Sequence, residues 1–246
     1  MKFNVSLSDC EKSIAINATL VAFSAVVLIV SAICFSIFTA VMAAVILVYG
    51  AVKLDRAVII KKDVVANGEP TTAVFLKEAD KSIGASAYLM ASSAIMMIVS
   101  FIFLLWFYGI VHLIVFIYTA IELSVAVSLR DEVVKGKRED KKTQTAINSC
   151  VERILGGGAA MLALTACLTI YGIYSVIAVA TLPGIEQFEV LLMNNLSLTL
   201  LIFSLFVYLA VKVAMADKAK KNYARQAKAQ LEAPEVLEEV PVEQAE

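Results

Sequence analysis

Charge is distributed along this chain in a way that leaves three long gaps. No Asp, Glu, Lys or Arg falls between residues 14 and 52. Between 83 and 129 there is one, Glu122, and between 155 and 211 there are two, Glu186 and Glu189. A helix needs ~20 residues to cross the ~30 Å hydrocarbon layer, and each gap is about twice that length or more. The pattern therefore predicts helical hairpins, not single helices: 13–33 with 35–54, 83–106 with 109–129, and 155–180 with 192–214. The third is divided at the Thr-Leu-Pro-Gly-Ile-Glu of 181–186. No Gly or Pro occurs between residues 14 and 49, so the first turn, near 31–36, is inferred from length alone.

Composition narrows the class further. With 60% apolar and 17% charged residues and only 4 Pro in 246, the apolar surface exceeds what a soluble core of this size can enclose. A soluble enzyme, a nucleic-acid binder and a disordered chain are excluded on this ground. The expected class is an all-α integral membrane protein, six transmembrane helices arranged as three direct helical-hairpin repeats. The chain divides into an N-terminus (1–12), hairpin 1 (13–54), a loop (55–82), hairpin 2 (83–129), a loop (130–154), hairpin 3 (155–214) and a tail (215–246). All 21 Lys and Arg lie in the N-terminus, 53–82, 130–153 and 212–246. Six spans put these four segments on one side, and basic residues near span ends stay cytoplasmic. Both termini are thus expected in the cytoplasm, with short turns outside.

Internal similarity supports the hairpin division. At an offset of 69, 12 of the 22 positions from 12 to 33 are identical to those from 81 to 102. The first hairpin ends Val-Tyr-Gly-Ala-Val-Lys-Leu (48–54) and the third Val-Tyr-Leu-Ala-Val-Lys-Val (207–213). The second is aligned on Ser-Val-Ala-Val-Ser-Leu (124–129), which makes Leu47 and Phe206 the counterparts of Glu122. A stripe of alanines recurs: Ala18, Ala22 and Ala25; Ala87, Ala91 and Ala94; Ala159, Ala163 and Ala166. Each trio, spaced i, i+4, i+7, shares one helix face. Helices in lipid associate through close packing at small residues, so these faces are expected at helix contacts, among the odd spans or within each hairpin. An all-alanine seam is too apolar to solvate an ion, which argues against a conduit there.

Two side chains stand out chemically. Glu122 is the one charge expected deep in the membrane, where such residues mark functional sites by default. With no intramembrane Lys, Arg or Asp in view as partner, it reads either as a protonated carboxyl hydrogen-bonded within the bundle or as a proton-carrying coupling group. His112, the sole histidine, reads as an interfacial polar tip beside Trp106 and Tyr108. Asn194 and Asn195 are expected to cap the last span and Thr71 the helix after the Asn67-Gly68 turn. No catalytic set, phosphate-binding loop or metal spacing occurs, so neither an enzyme nor a cofactor is expected. Residues 217–230 read as helix. Residues 232–246, with six acids and no base, read as a disordered tail suited to docking.

Three successive hairpins, copies of about 70 residues and short outer turns resemble the short-repeat membrane family that includes the HdeD acid-resistance proteins. The resemblance is one of architecture, from about residue 12 to 214, and implies an envelope or acid-stress role without a defined reaction. Only the third hairpin carries a Pro183-Gly184 like that family's outer turns. The expected function is a non-enzymatic scaffold or accessory subunit of a membrane complex. The alternative is a transporter or channel for a small solute or proton, with Glu122 as coupling carboxylate. The expected partners are the lipid bilayer and other membrane subunits or further copies of the chain, with no nucleic acid.

Overall fold

A computed structural model describes residues 7–33, 36–68, 70–134, 141–181 and 188–232. These residues form six helices: α1 (Leu7–Ile33), α2 (Ile37–Asn67), α3 (Thr72–Ile102), α4 (Trp106–Val134), α5 (Lys141–Thr181) and α6 (Phe188–Glu232). All six are long and apolar enough to cross a membrane, which fits an integral membrane protein. They pair as three hairpins, α1–α2, α3–α4 and α5–α6, and α6 returns to α1 so that the six close into a ring. The helix ends Ile33, Ile37, Ile102, Trp106, Thr181 and Phe188 lie at one end of the bundle, called here the hairpin-turn end. The opposite helix ends lie at the other, called here the charged end.

The hairpins share a common orientation. In their most apolar windows α2, α4 and α6 are 39%, 39% and 44% buried, against 28%, 28% and 22% for α1, α3 and α5. The even helices therefore form the inner layer and the odd ones the outer, so the expectation that odd spans pack together is corrected. The alanine stripe is corrected with it. Ala22, Ala91, Ala159 and Ala163 are exposed, and Ala18, Ala25, Ala87, Ala94 and Ala166 are only half-buried. The buried seam runs one residue earlier: Asn17, Ser24 and Ser31 on α1; Ser86, Ser93 and Ser100 on α3; Gly158, Thr165 and Gly172 on α5. Seven-residue spacing suits shallow left-handed helix pairs, whose close approach needs small residues at the contact. Ser93 and Thr165 donate to the Leu89 and Met161 carbonyls of their own helices, while the hydroxyls of Ser24, Ser31 and Ser100 are buried without a partner among the described residues. The two glycines are there for contact: a Cβ on Gly158 would stand 2.8 Å from Val213, and one on Gly172 2.6 Å from Thr199.

Local signals placed most of the turns. Helix α1 ends at Ile33 and α2 begins at Ile37, as the run length requires. Gly68 takes φ 77°, and its N–H closes α2 on the Val64 carbonyl at 2.8 Å. Thr71 precedes α3 but makes no side-chain cap; instead its N–H donates to Asp63 at 2.5 Å. The second turn lies at 103–105, earlier than expected, with Leu104 at φ 57°. Gly109 lies inside the first turn of α4, where a Cβ would come within 2.7 Å of the Phe101 ring. Asn194 and Asn195 lie well inside α6, not at its start. The helical tail runs to Glu232; the acidic segment that follows, and residues 182–187 of the third turn, lie outside the described residues.

Candidate functional site

Carrying the 69-residue offset of α1 and α3 straight on through α2 and α4 aligns Tyr49 with Tyr118, and Lys53 with Glu122. The segments are then Val-Tyr-Gly-Ala-Val-Lys-Leu (48–54), Ile-Tyr-Thr-Ala-Ile-Glu-Leu (117–123) and Val-Tyr-Leu-Ala-Val-Lys-Val (207–213). Glu122 thus corresponds to Lys53 and Lys212, not to Leu47 and Phe206. The side chains bear this out in space. Lys53 Nζ lies 3.2 Å and Lys212 Nζ 4.0 Å from Glu122 Oε1. The three inner helices each bring one ionisable group to a common point.

The rest of the cluster completes the coordination. The Tyr49 hydroxyl donates to Glu122 Oε2, and the Ser86 hydroxyl donates to the same oxygen at 3.3 Å. Lys53 donates to Ser82 at 2.6 Å. The Tyr49 and Tyr208 hydroxyls are 3.2 Å apart, and the Tyr118 and Tyr208 rings meet edge-on at 6.3 Å. Each lysine stands over the tyrosine of its own hairpin, 5.2 Å for Lys53 over Tyr49 and 5.4 Å for Lys212 over Tyr208, a geometry that adds cation–π attraction. The premise of a partnerless, protonated Glu122 is therefore removed: two ammonium groups and two hydroxyls meet it. Lys53 is 4% exposed and Glu122 15%. Breaking such a buried set by removing one member leaves charge without a partner.

The cluster has a fixed depth. Lys61, Arg130 and Lys220 each follow it by eight residues, ~12 Å along the helix. They pair with Glu11 (3.0 Å), Asp80 (2.5 Å) and Glu152 (3.1 Å), one ion pair within each hairpin at the charged end. Between the cluster and that end lies a cavity of about 220 Å³ walled by α1, α2, α6 and the start of α3, whose lining includes Lys53, Arg56, Lys212, Asp9, Asn17 and Phe75. On the far side the tyrosines and an apolar layer of Leu20, Ile46, Leu89, Ile114 and Leu209 leave a void of only about 30 Å³.

The hairpin-turn end is closed by neutral groups. Ser36 donates to Asn194 Oδ1 at 2.5 Å, and the Tyr108 hydroxyl donates to the same oxygen at 3.2 Å. Thr39 and Tyr108 share a contact of 3.3 Å. One residue from each hairpin thus meets at this clasp. His112, one turn further in on α4, is buried at 1% exposure, and its Nδ1 has no partner among the described residues. It is a core residue and not the interfacial tip that was expected. Among the described residues no group of three His, Cys, Asp or Glu could hold a metal.

Scans against family models, curated proteins and solved structures each return no match for this chain.

Proposed function

We propose that the protein moves a small solute across the membrane along the axis between its three hairpins, with Lys53–Glu122–Lys212 as the internal ion gate. The observation that carries this is one-sided access. A cavity at the charged end stops at the two ammonium groups that hold Glu122, while the far end is clasped by Ser36, Tyr108 and Asn194. Such an arrangement suits a carrier open to one side. The partition of basic residues supports placing that side in the cytoplasm. Transport then needs a second state, with the clasp parted and the inner helices drawn together. Direct repeats favour a concerted movement of three like hairpins over the rocking of inverted halves. Glu122 couples the two ends, because whatever competes for its lysines loosens all three inner helices at once.

The test is flux in liposomes for wild type, Glu122→Gln and Glu122→Leu, alongside thermal unfolding in detergent. Reduced flux in a folded Gln variant supports the gate. Unchanged flux in both variants removes Glu122 from the mechanism. The scaffold expectation is the competing proposal. It is favoured if no solute moves and a second membrane subunit co-purifies in fixed ratio.

A further inference from the structure

The cavity at the charged end carries more positive charge than its acids answer. Three cations line it, Lys53, Arg56 and Lys212. Glu122 is taken up by both lysines and by the hydroxyls of Tyr49 and Ser86. Asp9 is held by Lys218 at 3.0 Å. Glu78, the other acid whose charge acts on Arg56, is bound to Lys81 at 3.0 Å. The Arg56 Nε is buried without an acceptor among the described residues. A guanidinium has five donors in a fixed fork and no acceptor. A second orphan lies in the same wall. Asn17 is 1% exposed and gives its Nδ2 to the Ser13 carbonyl at 2.7 Å, but its Oδ1 has no donor.

We infer that this cavity binds the oxyanion group of a small solute, held by Arg56 with Lys53 and Lys212, and that Asn17 Oδ1 accepts a hydrogen bond from a hydroxyl on the same solute. The inference rests on reading this cavity as the solute entrance. Arginine forks match carboxylate and phosphate oxygens, two donors to two acceptors. About 220 Å³ is below the range of drug-sized pockets, which selects hydrogen phosphate or a short hydroxycarboxylate. The solute's negative charge also offers Lys53 and Lys212 an alternative to Glu122, which ties occupancy to release of the gate.

The experiment uses the full chain in detergent, titrated with sodium phosphate, glycolate and sulfate at ionic strength held constant with chloride, and read by calorimetry and thermal unfolding. Choline and glucose serve as controls. Saturable binding of phosphate or glycolate is expected, weaker binding of sulfate (which offers no hydroxyl), and none of the controls. Arg56→Gln should weaken phosphate by about tenfold or more. Arg56→Lys, which keeps the charge and loses the fork, should fall between. Asn17→Leu should bring phosphate down to the level of sulfate. A lipid headgroup as the source of the oxyanion would appear as stabilisation in phosphatidylglycerol nanodiscs over phosphatidylcholine ones, abolished by Arg56→Gln. The inference is overturned if no oxyanion, free or lipid-borne, binds saturably, or if both Arg56 variants bind like wild type. Phosphate binding without phosphate flux defeats the transport reading and keeps the site. Flux of an uncharged solute with no oxyanion binding does the reverse.

Discussion

The two ends of the helical axis solve the same packing problem with different chemistry. Three inner helices converge at both. At the hairpin-turn end the meeting point is neutral, one amide oxygen taking hydroxyls from Ser36 and Tyr108. Toward the charged end it is ionic, with Glu122 between Lys53 and Lys212 and a cavity behind. Neutral hydrogen bonds close a site cheaply where water is absent. Buried ions need their full complement of partners, and their desolvation cost makes each of them hard to lose. Under the proposed gate, the ionic end has a use for charge that the clasp does not.

The largest expected effect comes from breaking the ionic end. Glu122→Leu strands the buried Lys53 ammonium and the partly exposed one of Lys212, and the loss should be about 3–5 kcal/mol, read as a fall in the thermal unfolding midpoint in detergent. At the clasp, Asn194→Ala removes one acceptor shared by two donors and should cost about 1–3 kcal/mol. If the clasp proves as costly as the ion cluster, the contrast between the ends is wrong. The exposed pairs at the charged end form a third tier. Lys61→Ala or Lys220→Ala should cost about 0–1 kcal/mol and less in high salt, because Glu11 and Glu152 are more than half exposed. Smallest of all is Ala22→Leu or Ala91→Leu, within about 0.5 kcal/mol as for most surface substitutions. Those alanines face outward, so a larger loss would restore the alanine seam as a packing face.

The hairpins were legible because hydrocarbon tolerates so few charges: 14–52, 83–129 and 155–211 admit no other reading. The layer order was not. The alanine and serine stripes sit one residue apart on the same helices, both made of small residues at one-face spacing, so periodicity alone does not say which turns inward. Glu122 was legible as the unusual residue, but its partners were hidden twice over. Lys53 and Lys212 stand at the edges of the uncharged runs, where they read as markers of the water boundary. Their long stems instead carry the ammonium groups inward. The alignment of the second hairpin on Ser124 then separated Glu122 from them, although the offset already visible in α1 and α3 would have joined all three. His112 was misplaced because its aromatic neighbours suggested an interface; Trp106 is exposed, but His112 itself points inward. Arg56 and Asn17 give no sign in the sequence. They matter only because folding leaves a polar atom of each buried without a partner and puts both residues on one cavity.

The central claim is that Lys53, Glu122 and Lys212 occupy equivalent places around one axis, so that the sum of charge matters more than which hairpin supplies the acid. A charge-swap cycle tests this directly, with thermal unfolding midpoints and denaturant stability measured for wild type, Lys53→Glu, Glu122→Lys and the double exchange. Each single change should be severely destabilising, since one gathers two acids against one base and the other three bases with no acid. The double exchange restores two bases and one acid at the same point, and should recover more than half of the summed loss, a coupling well above the 0.5 kcal/mol or so expected of independent sites. Losses that simply add in the double variant would contradict the account.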